Sequence, residues 1–254
     1  MREGEPTKMR SIHGPGHSDE ECPKRTEERS DSETEKMLEP ERLGSEHRLV
    51  FFVAFEENHG LDRIRAEEYA KQMVEIADSD SELAEDYFYV IKDDDKIVAT
   101  GRLEIRVDSG GKKHAHLSSL TVHPEYEGTK YGGKKLSHKL TETRIEKARE
   151  LGFSSVDTTV FSENPKAIQA LAVKLNAGYR LVGFRTYPPR RGAPEMGAYL
   201  LAKNIDERAE EALGEETAES NLKDFKEIQR LTADNWVGVQ VENEKLIFRK
   251  KKEL

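Results

Sequence analysis

The sequence has little of what secreted, membrane-spanning and disulfide-stabilised proteins contain. Cys22 is the one cysteine among 254 residues, which excludes both an intrachain disulfide and a metal site built from cysteines. No apolar run is long enough to span a membrane, and the N-terminus is polar throughout, without the pattern of a signal peptide. We therefore expect a cytoplasmic protein that makes no membrane contact.

Apolar residues are also scarce compared with charged ones. They make up 35% of the chain and charged residues 36%, so much of the chain must be surface or disordered. The net charge of −9 argues against general nucleic-acid binding. Residues 1–46 carry few apolar side chains and show no periodicity, which predicts a disordered polar N-terminal tail.

The most informative stretch is HAHLSSLTVHPEYEGTKYGGKKLSHKLTETRIEKAREL, which begins at His114. Its first part, Ala115 to Val122, has the β-branched and apolar character of a strand. Glycines then break the pattern, and apolar residues recur at helical spacing from Gly133 until Gly152 ends the helix. The predicted order is strand, glycine-rich turn, long helix.

This order suits the binding of an anion. The first turn of a helix has N–H groups without internal partners, and glycine lets the backbone approach a ligand closely. Together they can form a phosphate cradle. Lys130, Lys134 and Lys135 add positive charge there, on a chain that is acidic elsewhere.

The segment VHPEYEGTKYGG, followed by KKL, resembles the central motif of the GNAT superfamily of N-acetyltransferases. In that family a strand ends in V-x-P-x-[YW], and the loop [RQ]-x-x-G-x-[GA] wraps the acyl-CoA pyrophosphate. The matching positions are Val122, Pro124, Tyr126 and Gly132. Glu127 stands where Arg or Gln is usual, and Lys130 stands where the first glycine is usual.

The resemblance implies which residues contact the acyl-CoA. The pantetheine arm would pair with the backbone of a strand that splays away from its neighbour, and Asn164 matches the N-x-x-A start of a later family motif. The implied cofactor-binding residues are Leu120, Thr121, Val122, Gly128, Thr129, Lys130, Tyr131, Gly132, Gly133, Lys134 and Asn164.

The catalytic residues stay unassigned at this point. Many relatives carry a carboxylate just before L-x-V, where this chain has Ser118 and Ser119. Many also carry a tyrosine four residues before a glycine of the late helix, where this chain has Lys174, or Leu171 when counted from Asn164. Other candidates for proton transfer, each more often an ordinary strand or loop residue, are Glu104, Asp157 and Tyr187.

His114 and His116 lie two residues apart and thus share one strand face. A metal site needs a third ligand, and none stands at suitable spacing. The sequence therefore predicts no metal.

The whole pattern predicts a mixed α/β fold with a mostly antiparallel central sheet flanked by helices, GNAT-like, over residues 47–203. The strands are expected at 47–55, 87–92, 97–107, 115–122, 155–161, 179–184 and 196–202, and the helices at 62–77, 133–151 and 164–176. The strands before and after the long helix should be parallel, because a helix crosses between them. Residues 204–254 form a C-terminal extension of helices (205–213 and 222–231) and a hairpin (236–241 with 245–249).

The resemblance implies an acyl-CoA-dependent N-acyltransferase, with acetyl-CoA as co-substrate and a small-molecule or peptide amine as acceptor. A catalytically weak GNAT-like module that binds CoA or a protein partner is the alternative. A third reading is an α/β domain without CoA whose tail drives assembly. The acceptor, the acyl chain length and the oligomeric state, a homodimer included, stay open.

Overall fold

The computed structural model describes residues 38–128, 130–131, 134–187, 196–206 and 213–252. The helices are α1 (Arg48–Asn58), α2 (Arg63–Ser79), α3 (Leu136–Glu150), α4 (Ala167–Asn176) and α5 (Phe225–Ala233). The strands are β1 (Glu41–Leu43), β2 (Leu83–Asp93), β3 (Lys96–Val107), β4 (Lys113–Val122), β5 (Lys130–Tyr131), β6 (Lys134–Lys135), β7 (Ser155–Phe161), β8 (Arg180–Tyr187), β9 (Met196–Asn204), β10 (Leu213–Asn221), β11 (Trp236–Glu242) and β12 (Lys245–Lys251).

Ten of these strands form one sheet in the order β1-β2-β3-β4-β7-β9-β8-β11-β12-β10. The β2–β3–β4 meander is antiparallel, and β4 and β7 pair in parallel across the α3 crossover. Both features were predicted from the sequence and are confirmed. The fold is therefore the expected mixed α/β class, with a mostly antiparallel sheet between helices.

The two faces of the sheet bury different clusters. Alternation along β2 sends Phe88 and Val90 toward α1 and α2, where they pack with Phe51 and Phe52. The larger cluster lies on the opposite face, where Leu140 of α3 and residues of α4 cover β3, β4 and β7. The site described below lies between these two layers of helices.

The first helix corrects a sequence-based prediction. Residues 47–55, HRLVFFVAF, were predicted as a strand buried on both faces, but Arg48–Asn58 form α1. The helix packs against both α2 and the sheet, so apolar residues are needed around much of its circumference. The following helix was predicted correctly, and the Asp62 carboxylate caps it by accepting a hydrogen bond from the Arg65 N–H.

The two ends of the described chain extend the sheet. Glu41–Leu43, within the segment expected to be a disordered tail, pair with β2 as the edge strand β1. At the other end, Leu213 lies in β10 rather than in the helix predicted for 205–213, and residues 207–212 lie outside the described part. The predicted 222–231 helix and the hairpin are present as α5 and as β11 with β12.

The C-terminal elements share the core of the rest of the sheet. Ile228 and Phe248 belong to the same buried cluster as Leu117 and Leu140. The ring of Phe225 stacks on that of Phe184 at a centroid distance of 4.2 Å. Among the described residues, no helix is long and apolar enough to cross a membrane.

Candidate functional site

A gap opens in the middle of the sheet between β4 and β7. The two strands pair at Ala115–Val156, His116–Asp157 and Leu117–Thr158, and their pairing stops there. β4 continues to Val122 alongside β3, and β7 continues to Phe161 alongside β9. We call the opening between Ser118–Val122 and Thr159–Phe161 the fork. The predicted cofactor-binding residues Leu120, Thr121 and Val122 lie on its β4 side.

A bulge in β4 stands at the base of the fork. Thr100 pairs with Thr121 and Arg102 with Ser118, so β4 has an extra residue at this point, and Ser119 adopts a φ of 49°. The bulge breaks the ladder where the fork begins, and it re-aims the backbone of the residues that follow.

Arg144 of α3 holds this bulge from beneath. Its guanidinium is completely buried and donates hydrogen bonds to the Ser118 and Arg102 carbonyls at 3.0 and 3.1 Å. Gly101 leaves room for it, because a Cβ at that position would lie 3.1 Å from the Arg144 Cζ. Burial lowers the pKa of Arg144 to about 10, so it stays a cation at neutral pH. The helix therefore fixes the backbone geometry of the fork.

The predicted phosphate loop follows β4. Gly128 has a φ of 78°, a conformation that favours glycine, and Lys130–Tyr131 pair with Lys134–Lys135 as β5 and β6. Thr129, Gly132 and Gly133 lie outside the described residues. α3 then starts at Leu136, later than the predicted Gly133, and Lys135 at its N-cap makes no side-chain capping bond among the described residues.

An ion pair joins the two sides of the fork at its open end. Glu127, which follows β4, lies 2.9 Å from the Nζ of Lys166 at the start of α4. Glu127 is one of the two departures from the family motif, and its carboxylate is paired with this lysine. Asn164 lies beside Lys166, and its Oδ1 accepts the Lys166 backbone N–H at 2.8 Å.

Polar side chains line the base of the fork on the α1/α2 face. Glu104 lies opposite His116 in the β3–β4 ladder, and Arg102 lies opposite Ser118. Burial alone would raise the pKa of Glu104. The charge of Arg102 and hydrogen bonds from Ser118 and Arg106 outweigh burial and lower this pKa below its usual value. Glu104, named from sequence as a proton carrier, is therefore held as a carboxylate within an ion-pair network.

The structure brings His116 and Asp157 together, a contact that the sequence did not predict. The Nδ1 of His116 makes a short hydrogen bond to the Asp157 Oδ1 across the β4–β7 pair. The Nδ1 of His114 lies 3.8 Å from the other Asp157 oxygen. The sequence signal for this contact was the alternation of side chains along β4, which places both histidines on one face. The register between β4 and β7, which brings Asp157 beside them, is set only by the fold.

A cavity of about 540 Å³ lies on the same face, next to the end of β4. The charged and polar residues in its lining are Glu57, Asn58, Arg63, Asp95, Lys96 and His123. α1 and the start of β3 contribute apolar walls through Val50, Ala54 and Ile97. The cavity can accept a small molecule or the end of a peptide.

The other sequence candidates lie away from the His116–Asp157 contact. Tyr187 ends β8, and its ring centre lies 6.0 Å from that of Phe161 at the far end of β7. Lys174 is partly buried in α4, with its Nζ 4.9 Å from the ring centre of Tyr179. Leu171 is fully buried in the core.

Comparisons with known proteins match this architecture. A family model described as "Acetyltransferase (GNAT) family" matches residues 54–175, from α1 to α4. A "probable acetyltransferase" from Staphylococcus epidermidis has a similar structure, with a TM-score of 0.50 and 17% identity over 66% of this chain and 99% of that one. No curated protein matches the chain.

Two further solved structures are similar at lower scores. The ribosomal-protein-S18-alanine N-acetyltransferase from Escherichia coli has a TM-score of 0.45 and 18% identity, over 68% of this chain and 97% of that one. A structure from Salmonella typhimurium, solved with its cofactor acetyl-CoA, has a TM-score of 0.45 and 13% identity, over 68% and 96%.

Proposed function

Residues 54–175 form a domain of the GNAT acetyltransferase family, and from this premise we propose that the protein transfers an acetyl group from acetyl-CoA to an amine. The observation that carries the proposal is the fork, in which a strand with a matching motif loses its partner just before the predicted phosphate loop. Extended backbone without a strand partner can hydrogen-bond the amides of a pantetheine arm.

The proposed cofactor site has two parts, one at each end of the connection between β4 and α3. The backbone of Leu120–Val122 would bind the pantetheine arm, and the loop with the first turn of α3 would bind the diphosphate. Lys130 and Lys134 of the predicted cradle, whose backbone lies in β5 and β6, would add positive charge there. The residues Gly128, Thr129, Tyr131, Gly132, Gly133 and Asn164 complete the proposed cofactor site.

The chemical half is a direct transfer. An amine held near the thioester attacks its carbonyl carbon, and a backbone N–H close to Leu120 stabilises the negative charge that develops on oxygen. We propose that the acceptor enters through the cavity beside His123, on the face opposite α3. Charges of both signs line that cavity, with Arg63 and Lys96 beside Glu57 and Asp95, which suits a polar acceptor. Because the sequence has a single cysteine, we place the reaction in a reducing compartment such as the cytoplasm.

Calorimetry with acetyl-CoA tests the cofactor half. We expect a dissociation constant in the range of common KM values, about 1 µM to 1 mM. Gly132→Asp should weaken binding at least about tenfold, by crowding the loop and by placing a carboxylate beside phosphate. Ser109→Asp, which adds the same charge to the exposed β3–β4 turn, is the matched control and should bind normally. No binding by the unaltered protein at millimolar acetyl-CoA would refute the proposal.

A second function is favoured by the residues at the expected catalytic positions. Serines stand at 118 and 119, and the late helix has Leu171 and Lys174 instead of tyrosine. These departures fit a module that binds CoA or a protein partner and does not catalyse transfer. A thiol-release assay with a broad panel of amines separates the two functions. Acetyl-CoA binding without thiol release from any amine would favour the second.

A further inference from the structure

We propose that His116 is the general base that deprotonates the acceptor amine and that Asp157 is the residue that orients it. This assignment rests on the proposed acetyl transfer. Neither residue was assigned from the family motif, because the positions where relatives carry a carboxylate or a tyrosine are occupied here by Ser118, Ser119, Leu171 and Lys174.

The position of the pair supports the assignment. His116 and Asp157 face each other one residue before pairing ends at Leu117–Thr158, so they stand at the base of the fork. They lie on the α1/α2 face of the sheet. Arg102 has its side chain on this same face, because its guanidinium lies 5.5 Å from the ring centre of Phe52 in α1. The thioester would arrive from the α3 side and the amine from this side.

The hydrogen bond between the two residues determines the tautomer of the His116 imidazole. When Nδ1 donates its hydrogen to a carboxylate, the lone pair of Nε2 is left to accept a proton. The carboxylate also stabilises the imidazolium that forms when the proton arrives. The exposed fractions of the two side chains, 18% for His116 and 34% for Asp157, allow an amine or a bridging water to reach them.

The neighbouring charged groups are less suited to the task. Glu104 is paired with Arg102 at 3.1 Å and Arg106 at 2.7 Å, and both lower its affinity for a proton. His114 is 44% exposed and lies beyond hydrogen-bond distance from Asp157. On the α1 side, Arg48 is held by Asp86 and Asp78. Among these groups on the α1/α2 face, His116 is thus the base that has an orienting partner and is still accessible to an amine.

The proton and bond changes balance. His116 takes one proton from the ammonium group and passes it to solvent. The neutral amine then attacks the thioester carbon, so that a C–N bond forms and the C–S bond breaks. The second proton leaves the nitrogen and ends on the sulfur of CoA.

The test measures kcat/KM against pH, with an amine that the unaltered protein acetylates. His116→Gln should lower kcat/KM about 10²- to 10³-fold, the usual effect of losing a general base, and should remove the acidic limb of the profile. Calorimetric affinity for acetyl-CoA should change less than twofold. His114→Gln, the neighbouring histidine on the same face, is the matched control and should keep both the rate and the limb.

Asp157→Asn is the second variant, because a positioning role predicts a result that loss of folding would not give. It should lower kcat/KM about tenfold and leave the acidic limb in the profile, since the imidazole loses the partner that orients it and still acts as the base. Thermal melting confirms that each variant is folded. Retention of the limb and more than a third of the rate in folded His116→Gln overturns the assignment. Failure of the unaltered protein to bind acetyl-CoA or acetylate any amine overturns the proposed function, and the assignment with it.

Discussion

Arg144 of α3, which is buried, and Lys174 of α4, which is partly buried, are accommodated in different ways. Among the described residues, Arg144 has no carboxylate partner. It donates hydrogen bonds to carbonyl oxygens of β3, β4 and its own helix, and to the Thr141 hydroxyl. Lys174 contacts the ring of Tyr179, while burial and the charges of Arg144 and Lys203 lower its pKa to about 7. Arg144 thus fixes the backbone of β4, whereas Lys174 reduces the stability of the fold when it is charged.

Lys174→Met should stabilise the protein, most strongly in mild acid. The unfolded chain keeps this amine protonated up to about pH 10, whereas the folded chain releases the proton near pH 7. The cost of burying the charge is therefore present in full below pH 7 and fades as the pH rises toward 10. We expect the free energy of unfolding at pH 6 to rise by at least about 1 kcal/mol, equivalent to roughly one pKa unit.

Urea denaturation at pH 6 and pH 9 measures this effect. The gain should be smaller at pH 9, and Lys71→Met, at an exposed position of α2, should show little change at either pH. An equal gain at both pH values would mean that packing, rather than the charge of Lys174, is responsible.

Some helices and strands could be predicted from local sequence signals, whereas others depend on tertiary contacts. The order β4–loop–α3–β7 could be predicted, because glycines punctuate it and α3 keeps a helical spacing over 15 residues. α1 could not, since a short apolar run is compatible with a strand or with a helix that is covered on several sides. The edge strands β1 and β10 also escaped prediction, because polar, exposed edges lack a clear alternation.

The same contrast holds within the site. The positions of Leu120–Val122 on an opening strand followed from a motif in adjacent residues. The pairing of His116 with Asp157 joins residues 41 apart in sequence and depends on the register of a parallel pair. Burial of Arg144 against Gly101 likewise requires α3 to lie across β3.

Phe225→Ala tests whether α5 is an integral part of the sheet domain. The substitution removes the ring that stacks on Phe184, and we expect a loss of about 1–3 kcal/mol in the free energy of unfolding. Tyr69→Ala, at an exposed aromatic residue of α2, is the control and should cost much less. Chemical denaturation followed by circular dichroism measures both. A stability equal to that of the unaltered protein would show that the Phe225 ring contributes no packing energy.

The whole molecule is larger than the family match. β8, β9 and the C-terminal elements follow residue 175, yet they complete a sheet that is continuous with the matched part. The main buried cluster runs from Leu38 to Phe248. We therefore expect ligand binding at the fork to stabilise the whole fold against unfolding.

Saturating acetyl-CoA should raise the thermal stability of the unaltered protein. A ligand at 100 times its dissociation constant adds about 2.7 kcal/mol when it binds only the folded state. Differential scanning fluorimetry measures the shift, and the Gly132→Asp variant at the same ligand concentration should show a much smaller one. Equal shifts in the two proteins would place the ligand elsewhere.

The fork has a consequence for the solubility of the sheet. It gives a ten-stranded sheet a backbone edge in its interior, and free edges are where foreign strands add and aggregation begins. Here the edge is recessed between β3 and β9, and the Glu127–Lys166 pair crosses its open end. Because the flanking strands and this ion pair enclose the edge, we expect it to admit the narrow pantetheine arm of the proposed cofactor and not a strand of another protein.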